Sequence, residues 1–292
     1  MRSQRSLGWL LAAPASVSMV LLFFLPAGFL LVYSFWTSKG FRIVPDFSLA
    51  NYAGSLTSPL FLDVTLNAVT IGLATASAAV ALSIPIAYYL TYVTRSKAVY
   101  YAVLITWFSS YLVRIYAWRT MLGTNGLLNT LLMQLGLVDA PIEALLFSRL
   151  AVSLALVHIY LPFCVLLVIS SFSEIKKELL EAARDLGTGP FGAFWKVVAP
   201  NAANGLIGAF TLTFLLAAGD YVTPQMLGGT TGQTTGLLIA DYFRRSGNWP
   251  LGAAQAFIMF AISVAVYGAL FLIGRVTGLV PNTKHARNRE EG

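Results

Sequence analysis

Cysteine, histidine and charge are all scarce in this chain. The single cysteine, Cys164, excludes an intramolecular disulfide and any four-cysteine metal site. It falls inside an apolar run, where a buried structural thiol is expected. The two histidines and the scattered acids form no cluster with the spacing of a metal or catalytic centre. A phosphate-binding Gly-x-x-x-x-Gly-Lys-Ser/Thr pattern is also missing, because the richest glycine stretch, Gly228–Gly236, has no lysine. The chain therefore cannot hydrolyse ATP by the usual route. Charged residues make up 11% of the 292, whereas soluble domains carry roughly 25%.

What is abundant is apolar surface: 57% of residues are hydrophobic and the mean hydropathy is +0.73. A soluble core cannot hide that much, so the bilayer must act as part of the solvent. Charges leave uncharged windows at 6–38, 64–94, 98–113, 150–173, 197–219 and 246–274. A spanning helix needs about 20 mostly apolar residues. Five windows meet that length, and the short one borrows from Arg114–Thr120. Six spans are expected, near 9–35, 65–92, 99–120, 149–171, 206–227 and 253–274. The first runs well past the length of a signal-peptide core and reads as an uncleaved span. With the N-terminus in the cytoplasm, twelve lysines and arginines fall inside and seven outside, which favours both termini inside. The division expected is a cytoplasmic N-terminus at 1–8, a six-span domain at 9–275 and a polar cytoplasmic tail at 276–292. The net charge of +7 then reflects topology and lipid headgroup contact, and its dispersal argues against a nucleic-acid partner.

Within this frame, Phe47–Tyr52 reads as an external turn leading into a helix, and Pro85 should kink the second span. Gly72, Ala74, Ala76, Ser77 and Ala78 offer a small-residue face for close helix packing. The short loop 93–98 makes spans two and three antiparallel neighbours. Leu127–Leu137 is too short to cross and reads as an amphipathic helix at the membrane surface. Tyr88, Tyr89 and Tyr92 read as interfacial anchors, and His158 as a hydrogen-bonding partner of a neighbouring helix. Segment 172–205 is the longest cytoplasmic loop. Ser171 and Glu174 fit a capping box, Gly187 a left-handed helix stop, and Pro190 the first turn of a second helix that Pro200 interrupts.

Glu181-Ala182-Ala183-Arg184-Asp185-Leu186-Gly187, followed by Val198-Ala199-Pro200, resembles the EAA loop of binding-protein-dependent ABC importer permeases. Ala199 departs from the larger apolar residue usual there. Three further segments are similar to the spermidine/putrescine-type members: Leu112–Arg119 followed by Gly126–Asn129, Gly219–Pro224 followed by Leu227–Gly229, and Asn248–Ala254. The resemblance covers about 9–275. It implies an all-α type I importer permease fold in a bacterial inner membrane, transporting polyamines or a related small polar solute. It implies a docking role for Glu181, Ala182, Ala183, Arg184, Asp185, Gly187 and Pro200 on a separate ATPase dimer, which would bind the ATP and Mg²⁺. It also implies a second, different permease subunit and an external solute-binding protein. No cofactor is expected in this chain.

Ionisable residues inside a membrane mark a pathway or a structural pair. Asp220 is a candidate for holding a polyamine ammonium, with Tyr221 and Trp118 adding cation–π attraction. The other reading of Asp220 is a structural pair with Arg114. Tyr116 lies in the same span-three motif and joins the pathway candidates. Arg114 and Arg119 are five apart and do not share a helix face, so one faces inward and the other outward. Two arginines suit an anionic group better than a dication, which keeps a zwitterionic, amino-acid-like or phosphonate-like substrate as the alternative. A self-contained secondary transporter would show internal repeats, and none is evident. A membrane scaffold or membrane enzyme is the remaining class, and no catalytic cluster supports it.

Overall fold

The computed structural model describes residues 13–40, 42–94 and 96–278. The expectations placed on residues 1–12, Arg95 and 279–292 lie outside the described residues. These include the start of the first span and the flanking Arg2, Arg5, Lys284, Arg287 and Arg289.

Five helices among the described residues are long and apolar enough to cross a membrane, and one bent pair makes a sixth. They are α1 (Ala13–Ser34), α3 (Pro59–Val93), the pair of Ala98–Phe108 (α4) and Tyr111–Gln134, which opens with α5 (Tyr111–Leu122), α7 (Arg149–Ser173), α9 (Pro190–Ala218) and α11 (Trp249–Val276). Shorter helices are α2 (Ala50–Thr57), α6 (Leu127–Gln134), α8 (Lys177–Asp185) and α10 (Thr235–Asp241). The described residues are all-α but for one antiparallel hairpin of two three-residue strands, β1 (Thr37–Lys39) and β2 (Arg42–Val44).

Two compact units divide the chain, Met1–Asp63 with Leu238–Phe260, and Val64–Leu237 with Ala261–Gly292. In the first, Asn51 ties α2 to the end of α1 by donating to the Ser34 and Trp36 carbonyls at 3.0 and 2.7 Å. Gln255 donates to Ser55 at 3.4 Å. The turn before α2 that Phe47–Tyr52 foreshadows is therefore held by hydrogen bonds together with ring packing of Phe35 on Tyr52, centroids 5.4 Å apart.

The second unit has two cores. One gathers Ile71, Ile115, Val152, Leu156, Ile159 and Leu227; the other gathers Ala79, Cys164, Val168, Phe172, Leu180 and Val198. Small residues set the helix spacing. The packed stripe of α3 is Gly72, Thr75, Ala76 and Ala79, at helical spacing, while Ala74 and Ser77 of the expected stripe are exposed. Between α7 and α9, a Cβ on Gly205 would overlap the Ser171 hydroxyl, so only glycine fits at that crossing.

The third span is broken. α4 ends at Phe108, and the chain resumes as α5 after two extended residues, Ser109 and Ser110, with a bend of 91°. Neither glycine nor proline marks this break; Ser109 Oγ donates to the Thr106 carbonyl at 2.7 Å and competes with the next turn. α4 packs on α7, where Trp107 stacks on Phe163 with centroids 5.4 Å apart.

Two expectations are corrected around 172–205. Ser171 does not cap a new helix. It lies inside α7 and donates to the Leu167 carbonyl at 3.3 Å, and the residue preceding α8 is Lys176. Pro200 does not interrupt its helix either. α9 runs continuously from Pro190 to Ala218 and absorbs the proline by widening into a π turn at Phe194–Val198. The proline ring clashes with the carbonyl four residues back, and the wider turn moves that carbonyl, of Lys196, aside. The same spacing recurs in α1, where a π turn at Val20–Phe24 precedes Pro26.

Candidate functional site

Two places in the second unit carry the residues singled out from the sequence. The first is the hairpin of α8 and the start of α9. Leu180 is buried with Phe172 and Val198 in the second core, which fastens one face of α8. The opposite face leaves Glu181, Ala182, Arg184 and Asp185 exposed, with Ala183 half-buried. α8 ends in a Schellman motif: Thr188 N donates to Ala183 O at 3.0 Å and Gly187 N to Arg184 O at 2.8 Å. Gly187 has φ +79°, the left-handed conformation the sequence reading expects. On either side of Gly187, Leu186 and Phe191 are 86% and 77% exposed. Charged, small and apolar groups thus share one protruding surface.

The second place is the end of α9. Gly219 closes the helix, and Asp220 follows in a non-helical conformation with only 8% of its surface exposed. Its carboxylate is held by three neutral donors. Val222 N reaches Oδ1 at 3.0 Å, and Thr223 Oγ1 and Tyr111 Oη each reach Oδ2 at 2.6 Å. The first two bonds are local and resemble an Asx turn that starts the helical turn at Pro224–Gly228. The third comes from the first residue of α5.

Arg114 does not pair with Asp220 in this structure. It is 8% exposed, and its Nη1 donates to the Ile159 carbonyl in α7 at 3.0 Å. Pro162 lies three residues on in α7 and cannot donate to the ladder. The carbonyl that loses its donor to Pro162 is that of His158, so the guanidinium bonds beside the proline gap and ties α5 to α7 there. One turn further along α5, Trp118 Nε1 donates to His158 Nδ1 at 3.0 Å, which makes Nδ1 the unprotonated nitrogen and gives His158 the inter-helix role expected of it. Arg119 is exposed, so the two arginines do face opposite ways. Tyr116 is exposed, and Tyr221 half-exposed beside Asp220.

The structure thus brings Asp220 together with Tyr111 and Thr223, and Trp118 with His158. Tyr111 was missed by sequence reading, although it stands immediately before the Leu112–Arg119 segment and three residues before Arg114, on the same helix face. Of the tyrosines at the end of α3, Tyr92 donates to the Phe172 carbonyl at 2.7 Å and stacks on its ring. That contact makes it part of the second core.

Over residues 4–277 the sequence matches the family described as binding-protein-dependent transport system inner membrane component, and the chain belongs to that family. Among its relatives is the spermidine/putrescine transport system permease protein PotB of Escherichia coli (strain K12), 32% identical over 255 residues, 85% of this chain and 92% of that one. PotB of Haemophilus influenzae is 33% identical over 257 residues, 85% and 88% of the two chains. The inner membrane ABC transporter permease protein YdcU of Escherichia coli (strain K12) is 32% identical over 253 residues, covering 82% and 80%. Among solved structures, a bacterial ABC transporter for alginate import has a TM-score of 0.72 at 16% identity, over 94% of this chain and 99% of that one. The MetNI methionine ABC transporter has a TM-score of 0.56 at 17% identity, covering 75% and 99%. The fold is that of an ABC importer permease.

Proposed function

We propose that this chain is a transmembrane-pathway subunit of an ATP-driven importer for polyamines, spermidine or putrescine, or a related small polar solute. The observation that carries the substrate class is the similarity, over 85% of this chain and 92% of the relative, to a permease named for spermidine and putrescine. In this reading the protein is multi-pass in a bacterial inner membrane with both termini in the cytoplasm. It pairs with a second, different permease, receives solute from an external binding protein, and is driven by an ATPase dimer that binds the ATP and Mg²⁺.

The α8 hairpin is the proposed docking surface for that ATPase. Glu181, Arg184 and Asp185 supply charged rim contacts, Ala182 and Ala183 permit close approach, and Gly187 sets the turn. Pro200 widens the helix that carries motion onward. In the pathway, Asp220 supplies the negative charge for an ammonium, and Tyr221, Tyr116 and Trp118 supply aromatic surface. Arg114 acts from behind, by holding α5 on α7.

Co-purification and uptake test this. Altering Glu181 together with Gly187→Val should release the ATPase and stop transport, since a left-handed β-branched residue costs about 1–2 kcal/mol at the turn. Full retention of the ATPase and of uptake would remove the docking assignment. Unlabelled putrescine should compete with labelled putrescine for uptake, and an amino-acid-like solute should not; the reverse ranking would favour the zwitterionic alternative.

A further inference from the structure

The carboxylate that the proposed pathway needs for an ammonium is already occupied. Resting on that reading of Asp220, we infer that Tyr111 is a latch: its phenol holds Asp220 in the unloaded protein, and a substrate ammonium displaces it and releases the start of α5.

Three features carry this. First, Oδ2 accepts two short O–H bonds, from Thr223 and Tyr111, and those two hydroxyls are themselves 3.0 Å apart. A third strong donor finds little room at that oxygen unless one leaves. Second, the two hydroxyls are unequal. Thr223 is three residues from Asp220 and moves with it, whereas Tyr111 is 109 residues away and belongs to another helix. Losing the Thr223 bond disturbs a turn; losing the Tyr111 bond frees an element. Third, the start of that element is not braced by a continuous helix, while Ile115 and Leu122 hold its remainder in the first core. α5 is joined to α4 through two extended residues at a 91° bend, and its other side-chain ties, Arg114 to Ile159 and Trp118 to His158, both run to α7 from further along the helix. Tyr111 is thus the fastening at one end of a short lever whose pivot is at α7.

The exchange is chemically balanced. No covalent bond changes, and one O–H···O⁻ bond, in which only the acceptor is charged, is replaced by an N⁺–H···O⁻ bond between two charged groups. The freed phenol ring remains beside the incoming cation, where its face attracts positive charge. A neutral or anionic solute lacks the group that opens the latch, so Tyr111 also contributes to selectivity.

The test uses the complete importer in liposomes, with its own ATPase, second permease and binding protein, and labelled putrescine as the probe. Tyr111→Phe keeps the ring and removes the competing hydroxyl. It should lower the KM for putrescine about fivefold, as expected for losing one competing hydrogen bond, and raise ATP hydrolysis in the absence of putrescine. If Tyr111→Phe leaves both quantities at wild type, or lowers only the maximal rate, the latch is wrong. Asp220→Asn separates the two levels. Wild-type KM in that variant would remove the underlying reading of Asp220. A raised KM there, with Tyr111→Phe silent, would remove the latch alone.

Discussion

Arg114 works on a backbone carbonyl rather than on a carboxylate. Its Nη1 donates to the Ile159 carbonyl of α7 at 3.0 Å, next to His158, whose carbonyl is the one that Pro162 leaves without a helical donor. Arg114→Ala should remove this tie between α5 and α7 and cost about 1–3 kcal/mol, read as a lower melting temperature of the purified protein in detergent. Arg114→Lys should recover part of the loss, since an ammonium can still donate there. An unchanged melting temperature in Arg114→Ala would show that water or a neighbour serves Ile159 equally well. At this scale the sequence was informative about direction and less so about partners. The five-residue spacing separated Arg114 from Arg119 correctly, and a lone membrane histidine pointed to an inter-helix bond that Trp118 makes. The alternative of an Asp220–Arg114 pair failed because each group found a nearer partner: the Ile159 carbonyl in one case and a local Asx turn with Tyr111 in the other. The Ile159 carbonyl is 45 residues from Arg114 and shares no motif with it, so spacing rules have nothing to act on.

Among elements, the helices were legible where apolar runs are long and less so where polar side chains bend them. The 91° break between α4 and α5 rests on two serines without glycine or proline. In residues 120–138 the shortness of the apolar run was a sound guide. α6 spans only Leu127–Gln134 and is pinned by Asn129, which bonds to Gly123 and to both backbone groups of Ile142. Ser171 and Glu174 matched a capping box by spacing, but α7 runs through Ser171 to Ser173 and ends on Glu174, because Phe172 is fully buried and holds the helix that far. Helix contacts give a direct test. Gly205→Ala should push α9 off Ser171 and destabilise the protein by about 1–3 kcal/mol. Adding Ser171→Gly should restore the loss. If Gly205→Ala alone is neutral in thermal unfolding, α7 and α9 do not cross closely enough to demand a glycine.

At the scale of the whole molecule, the five long helices and one bent pair among the described residues agree with the six spans expected from charge-free windows, and the fold is shared with ABC transporters of known structure. The edges moved most at α9, which begins at Pro190 rather than near 206, because the helix continues out of its apolar part into the hairpin. Orientation rests on loop charge alone, and the lone buried Cys164 makes it simple to measure. In a Cys164→Ala background, Asp185→Cys should react with an impermeant maleimide only in inside-out vesicles, and Thr230→Cys only in right-side-out ones. Labelling in the opposite sense would invert the topology and place the α8 hairpin outside.

Five helical stretches among the described residues are π turns: Val20–Phe24, Tyr89–Val93, Phe194–Val198, Pro224–Gly228 and Tyr242–Ser246. Each stores one surplus residue, worth ~100° of rotation about the helix axis. In α9 the surplus lies between the hairpin and the segment locked against Ser171. Passing it along the helix would turn one end relative to the other with hydrogen bonds exchanged rather than lost. Under the docking role proposed for the hairpin, a push at Phe191 would reach the rest of α9 as torque rather than as a straight displacement.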